Sequence, residues 1–545
     1  MSLERSKREG EKGTGRVATL AFLSRHLPAS GLDEPIARSL HRETGASVVL
    51  VRLSPAGSTA AAMPGLAVAL TLSGNLRLPS EIAPTDGGFY FLNVGVGDEL
   101  HPPAWIESLI DQLRRRFRYV LIAAATEDLA APSLFEFLLR SDLGYLFVRP
   151  SNDDVYQLDL LHRELRPQLD GSPVQLKPVL CLGAGEEVNG YEKLIQSVAS
   201  PVEIFVRGYP ESPETHARPA GSFAADIRRL ARQIGSCLVG LALSSGAAKG
   251  LSHIGVIQVL EENGIEVDVI AGSSMGAYIG ATWACGFDGQ KLEQLARELE
   301  SRWAFWTLID PAFPPRQGFV RGFAVKRRLM RSIGHVHFAE LVRPLRVMAT
   351  NLETLERVAF SSGEVATAVH ASIAVPGICV PVTIDGETYV DGGIVDPLPV
   401  DVLHEMGVDR IIAVNAIPTP DRIRYCRQAE RELAQLPRKR AREVVRKLVP
   451  LDAHLNYFAR GNILEILMRS VHGGQIRMAE ALGRQADVVL HPQICDDRWV
   501  DFREPGRFIK PGREVAERYL DEIKALVARK AVENEPAVEI VAAVA

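Results

Sequence analysis

The chain is 545 residues long, with 46% hydrophobic and 24% charged residues and a net charge of −5. Its length implies roughly two to four domains rather than one, its mild acidity carries no nucleic-acid signal, and no run of about 18 apolar residues is present to span a bilayer. Six scattered cysteines (Cys181, Cys237, Cys285, Cys379, Cys426, Cys495) form no CxxC pair, which suits a reducing compartment and suggests no metal site.

Residues 1–15 are polar and charged, without the apolar centre of a secretory signal, so they are expected to be disordered and the protein cytoplasmic. From 16 to 202, β-branched and aromatic runs alternate with amphipathic stretches. Strands are predicted at 16–23, 47–53, 89–94, 119–124, 145–148 and 176–181, with helices between them, among them 106–117 and 155–165. Such alternation predicts a parallel-sheet α/β domain. Its layout resembles the partition-type P-loop ATPases, which implies a phosphate loop after the first strand. Residues 24–33 read SRHLPASGLD, with Leu32-Asp33 where a Lys-Ser/Thr pair is needed. The strand at 119–124 also lacks a metal-holding acid at its end. The domain is therefore expected to be a degenerate relic with a structural or regulatory role, and nucleotide is not an expected partner.

Residues 203–235 are turn-rich at Gly208-Tyr209-Pro210 and Arg218-Pro219-Ala220-Gly221 and read as a linker, closed by a short basic helix over 224–234. A strand at 238–243 then meets the small-residue loop Ser244-Ser245-Gly246-Ala247-Ala248-Lys249-Gly250. The helix after it runs over 251–262, with Ile254, Ile257 and Leu260 at helical spacing and a stop at Asn263-Gly264. Such a loop can turn backbone N–H groups toward an anion. By itself it reads equally as a phosphate cradle or as a plain tight turn.

A second strand at 267–271 leads through Gly272-Ser273-Ser274-Met275-Gly276 into a small-residue helix at 277–284. This is a GxSxG pentapeptide between a strand and a helix, a turn that lifts the serine hydroxyl clear of its own backbone. Gly272 and Gly276 flank Ser274 where a Cβ would crowd the turn. The helix start presents N–H groups and a positive dipole end to a developing oxyanion. Far downstream, a strand at 387–390 runs into Asp391-Gly392-Gly393, which in isolation reads as a hairpin turn.

Two stretches invite lipid. Residues 303–319 hold Trp303, Phe305, Trp306, Leu308, Ile309, Phe313 and Phe319, either an acyl-chain wall, an interfacial lip or plain core under a loop. Residues 421–447 carry ten Lys/Arg against four Asp/Glu, which suits an anionic membrane surface or a solvated helix face. The apolar residues Ile463, Leu464, Ile466, Leu467 and Met468 follow, helix-like over 462–469.

The three ordered motifs, 244–250, 272–276 and 391–393, resemble those of the patatin-like phospholipases, in particular bacterial proteins related to neuropathy target esterase. Ala371-Ser372-Ile373-Ala374-Val375-Pro376-Gly377 also resembles that family's segment before the aspartate. The resemblance covers roughly residues 236–415, with a weaker tail to about 520. It implies a patatin-like α/β hydrolase domain over 236–415; charge and apolar spacing add a basic and helical C-terminal part over 416–528, and the small-residue, acidic composition of 529–545 a flexible tail. It further implies that Ser274 is the nucleophile and that Asp391 takes its proton without a histidine. Backbone N–H groups around Gly246, Ala247 and Ala248 would form the oxyanion hole, with Lys249 and Gly250 in the supporting loop and Gly272 and Gly276 framing the nucleophile elbow. The implied substrate is a phospholipid or lysophospholipid carboxyl ester, with no cofactor and no metal; peripheral membrane contact through 421–447 and 303–319 is the expectation that their charge and aromatic residues carry.

An aspartate serves as base only if burial raises its pKa, and the apolar neighbours Tyr389, Val390, Ile394 and Val395 suit that need. One departure stands out: Ser244, Ser245, Ala247 and Ala248 occupy the family's glycine run, leaving only Gly246. A positive φ at Ala247 would cost about 1 kcal/mol, and a poorly formed oxyanion hole about 10²-fold in rate. Three alternatives remain open: a Ser–His–Asp hydrolase using His472 or His491, a lipid-binding protein with weak or no catalysis, and a nucleotide-switched protein. His253 reads as structural.

Overall fold

The computed structural model describes residues 15–528 apart from residues 25, 28, 56–66, 69–81, 97–102, 126–130, 170–173, 184–185, 187, 189, 200–201, 203, 210–220, 301–306, 426–427, 429–462 and 495–501. The chain divides into two units, one reaching Cys237 and the other Leu238–Ala528.

The first unit runs β1 (Arg16–Phe22), α1 (Ala29–Thr44), β2 (Val48–Pro55), β3 (Ala67–Val68), β4 (Tyr90–Val96), α2 (Pro103–Arg116), β5 (Tyr119–Ala125), α3 (Ala131–Leu139), β6 (Leu143–Val148), α4 (Asn152–Leu169), β7 (Gln175–Leu182), α5 (Tyr191–Val198), β8 (Ile204–Arg207) and α6 (Gly221–Ile234). The strands lie in the order β3-β4-β2-β5-β1-β6-β7-β8, and every pairing is parallel. A parallel sheet covered by helices needs strands apolar on both faces. The sequences RVATLAF of β1 and YVLIAAA of β5 are buried almost throughout.

The stretch expected to be a linker, 203–235, belongs largely to this unit. β8 extends the sheet beside β7, and α6 sinks Phe223, Ile227, Leu230 and Ile234 into the same core as Leu20, Phe22 and Leu32. Asp226 on α6 is buried and ion-paired to Arg207 of β8 at 2.7 Å. Helical apolar spacing on α6 outweighs the turn residues that precede it.

The second unit runs β9 (Val239–Leu243), α7 (Ser252–Glu262), β10 (Val269–Ser273), α8 (Met275–Ala284), α9 (Gly289–Arg297), α10 (Phe323–Ile333), β11 (Leu345–Asn351), β12 (Arg357–Phe360), α11 (Val365–Ser372), β13 (Val382–Ile384), β14 (Glu387–Asp391), α12 (Val400–Glu405), β15 (Arg410–Val414), α13 (Ile463–Gly483), β16 (Val488–Leu490), α14 (Gly506–Arg518) and α15 (Leu520–Ala528). Its sheet has the order β13-β14-β11-β10-β9-β15-β16, with β12 also on β11. The centre, β11-β10-β9-β15-β16, is parallel, whereas β12, β13 and β14 pair antiparallel.

Core lies on both faces of this sheet. One face gathers Ile254, Ile257, Leu260, Trp283 and Phe508, the other Leu398, Leu403, Ile411 and Ile476. α14 presses directly on α7. A Cβ on Gly255 would lie 2.1 Å from the Ile509 carbonyl oxygen, and one on Gly512 2.0 Å from that of Ser252. Two glycines thus let the backbones approach closely behind the small-residue loop.

Candidate active site

β10 lies within the parallel centre, paired to β9 on one side and β11 on the other. Ser274 leaves its carboxyl end with φ 51° and ψ −117°, a conformation that costs a non-glycine residue about 1–3 kcal/mol. α8 begins at the next residue. A Cβ on Gly272 would meet the Gly276 carbonyl oxygen at 2.6 Å, and one on Gly276 the Leu243 carbonyl oxygen at 2.2 Å. Glycine at both positions is therefore required by close approach. The Ser274 amide donates to Ser372 Oγ at 2.9 Å, which fixes the turn to α11.

Asp391 ends β14. Its amide donates to the Ala374 carbonyl oxygen at 2.9 Å, and its own carbonyl accepts from Thr350 Oγ1 at 2.9 Å. Gly392 must be glycine, since a Cβ there would lie 2.2 Å from the Met348 carbonyl oxygen. The hairpin turn of this region is not Asp391-Gly392 but Asp385-Gly386. Those two residues join β13 to β14 with φ 52° and 90°, and Ile384 pairs with Glu387 around them.

The two side chains meet. Ser274 Oγ donates to Asp391 Oδ2 at 2.6 Å, and the Gly393 amide donates to Oδ1 at 2.7 Å. Both residues are buried. Burial pushes the Asp391 carboxyl up to about 6, against the pull of the Ser274 and Gly393 hydrogen bonds. A carboxylate held by a hydroxyl and an amide, with burial uncompensated, is a stronger base than one in water.

The loop 244–250 lies against the start of α8, since a Cβ on Gly250 would meet Met275 Cγ at 2.5 Å. Ser244 is tied down by its amide to the Val414 carbonyl oxygen at 3.1 Å and by its hydroxyl, which accepts from the Ala416 amide at 2.8 Å. The Ser245 amide donates to the Pro397 carbonyl oxygen. From Ala247 the chain enters a 3-10 turn, Ala247–Leu251, whose leading N–H groups lack intrahelical partners. Ala247 sits at φ 47°, the left-handed region that an alanine occupies only with strain. Lys249 is buried in the turn. His253 bears on the loop from α7: its Nε2 lies 2.9 Å from the Ser244 carbonyl oxygen and, facing an acceptor, must carry the proton. Burial pushes the His253 imidazole down to about 4. It is a neutral structural prop.

No histidine stands between Ser274 and Asp391. His472 faces Gln475 Oε1 at 3.3 Å, and His491 follows β16, so the Ser–His–Asp arrangement is not formed. Ser372 and Ser245 stand in the sequence motifs without an assigned role, and nothing in the sequence singles out Gln475. A Cβ on Gly393 would lie 2.9 Å from Ser245 Oγ, 3.0 Å from Asp391 Oδ1 and 3.0 Å from Gln475 Nε2. Two polar atoms from distant parts of the chain, Ser245 Oγ and Gln475 Nε2, thus come close to the dyad carboxylate around Gly393. Trp303, Phe305 and Trp306 and most of 421–447 lie outside the described residues. Among the described residues no group of three or more His, Cys, Asp or Glu is placed to hold a metal, and no helix is long and apolar enough to cross a membrane.

Residues 241–404 match the family model of the patatin-like phospholipases. An NTE family protein of Mycobacterium tuberculosis is 38% identical over 179 residues, covering 32% of this chain and 48% of that protein. Lysophospholipase NTE1 of Saccharomyces cerevisiae is 29% identical over 230 residues, covering 42% of this chain and 14% of that one. This chain therefore spans about half the length of the mycobacterial relative. Among solved structures, a ParA family ATPase from Chlorobium tepidum aligns with a TM-score of 0.30 at 13% identity, over 40% of this chain and 98% of that one, too low a score to carry weight.

Proposed function

We propose that this chain, which carries a patatin-like phospholipase domain at 241–404, is a serine hydrolase of lipid carboxyl esters. The observation that carries this reading is the buried 2.6 Å hydrogen bond from Ser274 Oγ to Asp391 Oδ2 at a strained strand-to-helix turn. Ser274 Oγ attacks the ester carbonyl while its proton passes to Asp391 Oδ2. The tetrahedral oxyanion is met by N–H groups of Gly246, Ala247 and Ala248, at the start of the 3-10 turn that packs beside Ser274. The intermediate collapses, the alcohol leaves with the proton from Asp391, and an acyl-serine remains. Asp391 then takes a proton from water, whose oxygen attacks the acyl carbonyl, and returns it to Ser274 as the fatty acid departs.

Phospholipids or lysophospholipids are the substrate class we favour, because relatives named lysophospholipase align with this chain over 198 and 230 residues. A second reading, a lipid-binding protein with weak catalysis, draws on the side chain that Ala247 places at φ 47° in the oxyanion loop. The N-terminal unit is read as structural rather than nucleotide-hydrolysing. Beside the start of α1 the carboxylate of Asp33 is gripped by Arg52 through two 2.9 Å hydrogen bonds, and Arg52 reaches Glu34 as well. A triphosphate would meet two acids there. The test is fatty-acid release from lysophosphatidylcholine by wild type and by Ser274→Ala. Release by wild type and its loss in the variant supports hydrolysis; vesicle binding without release supports the second reading.

A further inference from the structure

We propose that the loop ahead of α10 and the exposed face of α10 form a docking surface for an anionic lipid layer, a proposal that rests on the lipid-ester reading above. Three aromatic rings stand in solvent here: Phe313 is 89%, Phe323 54% and Phe319 37% exposed. Single exposed apolar residues need no explanation, but three large rings within eleven residues form a patch.

The patch is held, not loose. The Ala312 amide donates to the Phe319 carbonyl oxygen at 2.8 Å, closing the loop on itself. The Asp310 carboxylate accepts from the Gly322 amide at 2.9 Å and the Ala324 amide at 3.1 Å, pinning the loop to the first turn of α10. The amides of Phe319 and Val320 both donate to the Ile378 carbonyl oxygen, and Val380 returns a bond to Val320. Gly318 fits so closely that a Cβ would lie 2.5 Å from the Cys379 carbonyl carbon. A rigid loop thus keeps Phe313 at its tip in water.

Charge selects the occupant. Residues 311–334 contain six Lys/Arg and no Asp/Glu. Lys326 is paired with Glu364 and Arg328 with Glu298. Arg316, Arg321, Arg327 and Arg331 are exposed and make no side-chain ion pair among the described residues. Phe323, Arg327 and Arg331 recur every four residues, so they share one face of α10. Rings that enter the headgroup region, ringed by guanidinium groups that pair with phosphate oxygens, fit a membrane surface carrying net negative charge.

The surface also adjoins the chemistry. The platform under the loop, 375–380, continues from α11, whose Ser372 holds the Ser274 amide, and from Ala374, which holds the Asp391 amide. The Cys379 thiol, pushed up to about 11 chiefly by burial, also feels the Asp391 charge. A lipid layer seated on the loop would lie beside the dyad.

The test uses the full chain carrying Ser274→Ala, so that no lipid is consumed, sedimented with vesicles of phosphatidylcholine alone or mixed with phosphatidylglycerol. The expected result is sedimentation with the anionic vesicles that weakens as salt is raised. Phe313→Ser with Phe319→Ser, and separately Arg316→Glu with Arg321→Glu, should each lower vesicle affinity by at least about tenfold, since each basic residue near such a surface is worth about fivefold. Fluorophosphonate labelling of Ser274 in the same double variants, built on wild type, should persist and reports that they are folded. Equal sedimentation of the variants, or no sedimentation of the parent with either vesicle, overturns the proposal, the latter pointing to a protein partner. Loss of the hydrolytic reading would show as absent labelling with vesicle binding intact, so the two failures are distinguishable.

Discussion

Each of the two α/β units buries a carboxylate just beyond or at the end of a strand, Asp33 after β1 and Asp391 at the end of β14, and the two carboxylates have different partners. In the first unit Asp33 lies fully buried on α1, and Arg52 from β2 covers both its oxygens at 2.9 Å. In the second, Asp391 faces the Ser274 hydroxyl and the Gly393 amide. A guanidinium supplies a counter-charge and occupies the lone pairs, although burial still pushes the Asp33 carboxyl up, so Asp33 is an internal strut. A hydroxyl supplies neither a charge nor a permanent proton, so Asp391 keeps an appetite for one. The same residue type in the same class of fold is a strut beside a guanidinium and, in the mechanism proposed above, a base beside a hydroxyl.

That contrast can be broken from either side. Arg52→Ala should cost about 3 kcal/mol of stability, because it strands a buried acid. Denaturant unfolding of the first unit would read that loss, while serine labelling stays at the wild-type level. An equal loss of labelling would mean that the first unit is needed by the second.

Protonation sharpens the second side. The ordinary Asp value of 3.8 is raised to about 6 in the folded chain, chiefly by burial. The folded state therefore favours the protonated acid. The stability linked to this group is fully present below about 3.8 and is lost as pH rises through about 6. Asp391→Asn should accordingly raise the melting temperature at pH 8, by the equivalent of about 3 kcal/mol, and show no such advantage at pH 4. Hydrolysis by wild type should climb through about pH 6, as the base form appears. A flat profile between pH 5 and about 7 would place the base elsewhere.

Smaller steps probe the frame. Gly393→Ala pushes a methyl group to 3.0 Å or less from Asp391 Oδ1, Ser245 Oγ and Gln475 Nε2. Displacing the carboxylate should lower kcat by about 10²-fold with the fold retained. Ala247→Gly should do the reverse on a lesser scale. Removing a side chain at φ 47° should add about 1 kcal/mol of stability and leave labelling at least as fast. A slower variant would show that the alanine, rather than a strained glycine substitute, is the working residue.

The second unit's site was largely legible because its chemistry is written in short, local turns. Gly272, Ser274 and Gly276 sit within five residues, and the close approaches that demand glycine arise inside that same turn or against Leu243. The positive φ at Ala247 followed from replacing a glycine run. What distance in sequence conceals was not legible. Ser372 meets Ser274 across 98 residues, and Gln475 reaches Gly393 from α13. Arg52 meets Asp33 because β2 runs beside the first helix, a fact of topology rather than of spacing. The 203–235 stretch misled because β8 is four residues long and is flanked by turn residues, so punctuation drowned a short strand. The hairpin of this region is made by Asp385-Gly386, six residues before Asp391, which agrees with setting aside the isolated hairpin reading of Asp391-Gly392.

The central claim is that Asp391 alone activates Ser274. The direct measurement is mass-spectrometric mapping of a fluorophosphonate adduct on the full chain, in wild type and in Asp391→Asn. An adduct on Ser274 in wild type that falls to background in the folded variant is the predicted result. No adduct on folded wild type, or an adduct that forms as fast without the carboxylate, would contradict it.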